Sequence, residues 1–126
     1  MAAPQEIQDD PRAYSRRVRE LNDALRTSTD PVLRLIVNGQ LVITRGLAAR
    51  GDEFLRHAME AVRAFDAFKP ENDPHGEHDM AFLVVDGTRI FFKVDYYDSE
   101  MEFHSPDASD PGVTRRVLTV ALAEEY

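Results

Sequence analysis

The chain has 126 residues and a formal net charge of -8 at pH 7, which predicts a single domain spanning residues 1–126. It contains no cysteine, so disulfides, thiolate zinc sites, iron–sulfur clusters and cysteine catalysis are excluded. No apolar run is long enough to cross a bilayer, no cleavable leader is visible, and the acidic charge argues against direct nucleic-acid binding. We therefore expect a cytoplasmic protein that needs no cofactor, binds neither membrane nor nucleic acid, and begins with a flexible tail over residues 1–9.

The first half of the chain reads as a helix, a hairpin and a second helix. An Asp-Pro pair followed by apolar residues at spacings of three and four predicts a helix over residues 11–27. Two β-rich runs, 32–37 and 40–45, flank Asn38-Gly39, which is a strong hairpin signal. A second amphipathic stretch predicts a helix over residues 52–67.

A second hairpin is predicted over residues 80–97, around the two-residue turn Asp86-Gly87. If Val85 faces Thr88, the register of the whole hairpin is fixed. Alternate residues then form an apolar face that should contact the helices.

The last part of the chain should add a short edge strand over residues 99–104 and a final helix that begins at Asp110-Pro111. The fold class is therefore α+β, in the order α-β-β-α-β-β-α. We expect an antiparallel sheet of four to five strands with three helices, mainly on one face.

The acidic excess lies in one segment. Residues 70–110 carry a net charge of -9, whereas residues 1–69 carry +1 and residues 111–126 balance. Such a segment is either a set of solvated loops kept soluble by charge, or a functional surface that takes a cation or docks a basic partner.

The computed hairpin register brings His78 opposite Asp95. A carboxylate beside an imidazole fixes its tautomer, as general bases and metal ligands require, although a simple cross-strand pair is the alternative. Together with Asp79, these residues form an alternative divalent-metal site. The sequence contains no Gly-x-Ser-x-Gly motif, phosphate-binding loop or dinucleotide fingerprint, so we assign no catalytic residues.

Outward aromatic side chains beside carboxylates suit a protein interface. We expect Phe91 and Tyr97 to supply apolar anchors within an acidic face, although a second apolar layer or a homodimer contact would use the same residues. The predicted partner-binding residues are Glu77, Asp79, Phe91, Asp95, Tyr97, Asp98, Glu100 and Glu102.

Several strings together resemble a family of small bacterial proteins known only as a domain of unknown function. They are Arg19–Arg26, Val62–Asp66, Asn72–Asp79, Lys93–Asp98 and the Asp110-Pro111 and Thr114–Thr119 stretches. The Gly-Glu-His-Asp and Asp-Tyr-Tyr-Asp strings are the most specific. The resemblance implies no established activity, but it implies an accessory protein of plasmids and integrative elements.

These observations favour a non-enzymatic interaction protein. The most concrete version is an inhibitor of the anti-CRISPR or anti-restriction type, which docks a basic nucleic-acid-binding surface of a host defence complex. The alternatives are a divalent-metal-binding protein or metal-dependent hydrolase centred on His78 and Asp95, and a structural homodimer paired through the second face of the sheet.

Overall fold

The computed structural model describes residues 10–126, so the predicted tail over residues 1–9 lies outside the described residues. The helices are α1 (Pro11–Thr27), α2 (Pro31–Ile36), α3 (Arg45–Ala48) and α4 (Asp52–Ala64). The strands are β1 (Gly39–Ile43), β2 (Met80–Val85), β3 (Thr88–Tyr97) and β4 (Arg115–Leu122), and a short 3-10 turn covers Ala123–Glu125. None of the helices over residues 10–126 combines the length and hydropathy that crossing a bilayer demands.

The four strands form one mixed sheet in the order β1-β4-β3-β2. The pairs β2–β3 and β3–β4 are antiparallel, whereas β1 runs parallel to β4. The α+β class is therefore confirmed. The all-antiparallel sheet is wrong, because β1 pairs with β4 in parallel. The order with three helices is also wrong, because residues 31–36 and 45–48 are helical and residues 115–122 form a strand.

The core lies between one face of the sheet and helices α1, α3 and α4. Each large apolar side chain buried there contributes about 2 kcal/mol, so this layer supplies most of the favourable free energy of folding. Its central side chains are Leu25, Leu47, Ala58, Val62, Ile90, Phe92, Leu118 and Val120.

An Asp-Pro pair begins the first helix, as predicted, and a second pair, Asp30-Pro31, which is interpreted from the sequence as a helix break, begins another helix. The Asp10 side chain accepts a hydrogen bond from the Arg12 amide at α1, as predicted. Asp30 accepts one from the Val32 amide in the same way, at 2.9 Å, and begins α2. Residues 32–37, predicted as a strand, are therefore helical up to Ile36, because a capped Asp-Pro start outweighs β propensity over so short a run.

The Asn38-Gly39 pair is a turn, but it does not close a hairpin. Asn38 has a φ of 55°, a left-handed conformation that asparagine tolerates, and it turns the chain from α2 into β1. The side-chain nitrogen Nδ2 of Asn38 donates a hydrogen bond to the Thr114 carbonyl at 2.9 Å. The Asn38 carbonyl accepts from the Arg116 amide, so the turn is held against the start of β4, which is the parallel neighbour of β1.

The second hairpin is confirmed in its register. Val85 faces Thr88 and Met80 faces Lys93, as the turn Asp86-Gly87 dictates. Strand β2 begins only at Met80, however, so His78 lies outside the paired residues, and its backbone is left-handed with a φ of 54°.

The final predicted helix is wrong. Asp110 accepts a hydrogen bond from the Gly112 amide at 2.8 Å and forms a turn, after which residues 115–122 become the central strand β4. Pairing on both edges, with β1 and β3, overrides the local helix signal. The predicted edge strand over residues 99–104 reduces to one isolated bridge between Tyr97 and His104.

Candidate functional site

A buried asparagine joins three elements of the fold. Asn22 on α1 is fully buried, and its Oδ1 accepts a hydrogen bond from Nε of Arg116 on β4 at 2.7 Å. Its Nδ2 donates to the hydroxyl of Tyr96 on β3 at 2.7 Å and to the Glu77 carbonyl at 3.0 Å. One amide therefore fixes the positions of two strands and of the loop that precedes β2 relative to α1.

Arg116 is a fully buried cation. Its Nη2 donates to the Ala108 carbonyl, and its guanidinium lies 5.0 Å from the centre of the Tyr96 ring. Burial lowers the pKa of Arg116, and Nη1 has no hydrogen-bond partner among residues 10–126. A buried charge of this kind is costly unless its remaining contacts are held in place, so the cluster requires its partners.

The same cluster fixes the loop over residues 73–79. The Tyr96 hydroxyl donates to Oε1 of Glu77 at 3.0 Å. Asp73, which is buried, accepts hydrogen bonds from the amides of Glu77 and His78. Because side chains hold the loop at both ends, the residues that follow it start β2 in a defined position.

The predicted pair of His78 with Asp95 is wrong. Nδ1 of His78 instead donates to Asp23 on α1 at 2.9 Å, and its ring stacks on Phe68 at 3.8 Å between centroids. Asp95 forms an ion pair with Lys93 at 3.2 Å. The left-handed backbone at His78 turns its side chain away from the ladder, which the hairpin register alone does not reveal.

No group of three or more His, Asp or Glu side chains over residues 10–126 is arranged to hold a metal ion. The alternative site that combined His78, Asp79 and Asp95 is therefore not assembled, because His78 faces α1.

Three acidic residues line an open groove at the end of the sheet where β2 begins and β3 ends. The groove has a volume of about 350 Å³, and neither lysine nor arginine is among the described residues that line it. The acidic residues are Asp79, Glu102 and Asp95, whose carboxylate also pairs with Lys93. The other lining residues are Val94, Tyr96, Tyr97, Phe103 and His104.

The far wall of the groove is a folded loop. The Asp98 amide donates to the Phe103 carbonyl at 2.8 Å, and the Asp98 carboxylate accepts from the Glu102 amide at 3.0 Å. The Ser105 amide donates to the Tyr96 carbonyl, which ties the loop to β3. These bonds hold the loop beside the end of β3, where Glu102 lines the groove and Phe103 is 71% exposed.

Two carboxyl groups at this end of the sheet resist ionisation. Burial raises the pKa of Asp79, and the charges of Asp73 and Asp95 raise it further. Burial likewise raises the pKa of Glu77, although the hydrogen bond from Tyr96 opposes the rise. A cation placed in the groove would relieve the repulsion at Asp79.

A second, larger cavity of about 520 Å³ lies beside the groove on the open face of the sheet and shares Asp79, Val94 and Asp95 with it. Lys93 lines this cavity and not the groove. The groove and this cavity therefore meet at Asp79 and Asp95.

The structure sorts the predicted partner-binding residues into three groups. Asp79, Asp95, Tyr97 and Glu102 line the groove. Glu77 and Asp98 are engaged in holding the loops, and Glu100 is exposed in the turn beside the groove.

The prediction of Phe91 as an apolar anchor is wrong. Phe91 is 3% exposed, because the rings of Phe82 and Tyr126 cover it. Phe103 is the exposed aromatic residue at the groove. Strand alternation could not identify Phe103, because it lies in a loop.

The strings that carried the family resemblance converge on this region. Asn22 and Asp23 come from the first string, and Glu77 and His78 come from the Asn72–Asp79 string. Tyr96 comes from the Lys93–Asp98 string and Arg116 from the Thr114–Thr119 stretch. Their contacts join α1, the loop and the sheet directly beneath the acidic groove.

The fold and the groove define a two-layer α+β domain with an acidic groove at one end of its sheet. The chain belongs to the family described as "Protein of unknown function (DUF3768)", whose model matches residues 43–125. No curated protein and no solved structure matches the chain. The family match confirms the resemblance to a domain of unknown function.

Replacing Asn22 by alanine should destabilise the protein by about 3 kcal/mol, because it leaves the buried Arg116 guanidinium without its Nε partner. Amides of Glu77 and His78 should also exchange faster, since the loop loses an anchor. Urea unfolding and hydrogen exchange measure the two effects. Glu20→Ala, at an exposed position of the same helix, is the control, and an equal loss in both variants would contradict the role of Asn22.

Replacing Asp79 by asparagine should stabilise the protein at pH 7. A carboxyl group with a raised pKa favours the folded state while it is protonated, and this contribution is lost as the pH rises through the folded pKa. Because solvent screens the half-exposed group, the gain should be only about 0.5 kcal/mol, and it should vanish below about pH 4, where the carboxyl is neutral in both states. Urea unfolding at both pH values tests this; a loss of stability at neutral pH would refute it.

Proposed function

We propose that this chain is an acidic, non-enzymatic interaction protein whose groove docks cationic side chains from a basic surface of a partner protein. The observation that carries the proposal is the convergence of Asp79, Asp95 and Glu102 in one groove beside the exposed ring of Phe103. Asp79 precedes β2, Asp95 lies on β3 and Glu102 lies in the loop after β3, so the β2–β3 hairpin and that loop together form the groove.

The chemistry of the groove suits a guanidinium or ammonium group. Carboxylates accept the N–H groups of arginine and lysine in short, charge-assisted hydrogen bonds. Aromatic rings such as Phe103 and Tyr97 attract cations to their faces and pack against the alkyl parts of these side chains. A bound cation also relieves the repulsion that raises the pKa of Asp79.

The groove is already formed in the free protein. Its Asp79 side follows the loop that Asn22 and Asp73 hold, and its Glu102 side belongs to the loop that Asp98 closes. Ordered walls lose little conformational entropy when a partner docks, which favours affinity from a small number of contacts.

The partner we favour is a protein that handles nucleic acid. Such proteins carry basic channels that attract phosphates, and an acidic protein surface can occupy a channel of this kind through the same charge complementarity. The resemblance to accessory proteins of plasmids and integrative elements suggests a host defence complex as the target. Inhibition would then follow from exclusion of the nucleic acid.

The proposal is tested with an oligoarginine peptide as the probe. The triple variant Asp79→Asn, Asp95→Asn, Glu102→Gln should bind it about tenfold more weakly, since three screened charge contacts of about 0.5 kcal/mol each are lost. Fluorescence anisotropy measures the affinity. The matched control neutralises three exposed carboxylates away from the groove, in Asp66→Asn, Glu71→Gln, Glu124→Gln.

The control variant has the same net charge as the groove variant, so it separates docking in the groove from general attraction. We expect the control to bind within about twofold of the wild type, and all affinities to fall with added salt. Equal weakening in the two variants would refute the groove as the docking site. Binding that is unchanged in high salt would refute the electrostatic account.

A further inference from the structure

The short helix α2 presents its apolar face to solvent. Val32, Leu35 and Ile36 follow the helical spacing of three and four and are 57%, 79% and 64% exposed over the described part of the chain. Surface helices normally turn such a stripe toward the core. Arg34 lies about 200° around the helix from Val32 and lines a small groove over Leu41 on the inner side.

The strand that follows α2 is an open edge of the sheet. Strand β1 pairs with β4, and among residues 10–126 no strand pairs with its other side. Asn38 and Thr44 bond to β4 through their backbone, so by alternation Leu41 and Ile43 direct their N–H and C=O groups outward. Residues 39–43 carry no charge and no proline, the usual means of protecting an edge.

The charge distribution also distinguishes this edge. Residues 31–51 contain three arginines and no acidic residue, whereas the net charge of -9 lies in residues 70–110. Strands β2 and β3 carry part of that acidic segment, and β2 lies at the opposite edge of the sheet from β1. Two copies of this acidic chain therefore repel each other least when their β1 edges meet.

We propose that β1 and α2 form a homodimer interface. In this dimer, β1 pairs with β1 of a second copy, antiparallel across a twofold axis perpendicular to the sheet, and the stripes of the two α2 helices meet on the same side. A neutral apolar stripe and a strand edge are both self-complementary, as an interface between identical surfaces requires.

The area that a stable dimer buries explains why the interface needs both α2 and β1. The three exposed side chains of the stripe offer an apolar patch on the order of 300 Å², which is comparable to the largest apolar patch on an ordinary monomer. A stable interface buries about 800 Å² per partner, so the stripe alone is insufficient. The edge of β1 supplies further area and backbone hydrogen bonds next to it.

A lipid surface fits these features less well than a second copy does. A bilayer offers no regular partner for the outward N–H and C=O groups of Leu41 and Ile43. Helices that bind anionic bilayers also flank their apolar face with basic residues, whereas Arg34 lies on the inner side of α2.

Sedimentation of the wild-type chain over a wide range of concentration tests the dimer. The wild type should sediment as a dimer at high concentration and dissociate on dilution. Leu35→Glu should weaken the dimer at least about tenfold, since it places two carboxylates in an apolar contact. Val84→Glu is the matched control, because Val84 is 68% exposed on β2 at the other edge of the sheet, and it should leave the dimer intact.

Hydrogen exchange distinguishes strand pairing from contact through the helices alone. The amides of Leu41 and Ile43 should be protected in the wild-type dimer and exchange in Leu35→Glu. A monomer at every concentration, or a dimer that Leu35→Glu leaves unchanged, would overturn the proposal. Free exchange at both amides would overturn the pairing of β1, and a monomer that binds anionic vesicles through Leu35 would assign the surface to lipid instead.

Discussion

The hydrogen bond from the buried Arg116 guanidinium to Asn22 is the contact on which the polar half of this fold depends. A cation without solvent exposure is stable only while its partners stay in place, and Asn22 is the partner that also reaches Tyr96 and the loop before β2. The contact joins residues 94 positions apart in the chain. Helix, sheet and loop are therefore fixed relative to one another by one polar cluster.

The geometry of the acidic groove depends on that polar cluster. The Asn22 network determines where the loop ends and hence where Asp79 lies, while the folded loop after β3 brings Glu102 to the other wall. Burial raises the pKa of Asp79 in this arrangement, and the nearby charges of Asp73 and Asp95 raise it further. The sheet also separates two surfaces of different character, an acidic end where we propose that a basic partner docks and an uncharged edge where we propose that a second copy pairs.

Local signals in the sequence predicted the parts of the fold that are local. The turn Asp86-Gly87 fixed the register of its hairpin, because a two-residue loop determines which residues of the two strands face each other. The Asp-Pro pairs were ambiguous, since Asp30 starts a helix and Asp110 only a turn before the central strand. Parallel pairing of β1 with β4 depends on contacts between distant residues, which periodicity does not encode.

The candidate site was predicted only in part, because local patterns in the sequence do not reveal which side chains the folded chain brings together or buries. Charge counting located the acidic segment, and four of the predicted residues line the groove. The predicted pair of His78 with Asp95 is wrong because His78 has a left-handed backbone and lies outside the paired strands. The prediction of Phe91 as an exposed anchor is wrong because the ring of Tyr126 covers it.

Amide chemical shifts recorded by NMR during titration with an oligoarginine peptide test the central claim most directly. The account predicts the largest changes at Asp79, Asp95 and residues 102–104, and changes centred on α2 or spread evenly over the acidic residues would contradict it.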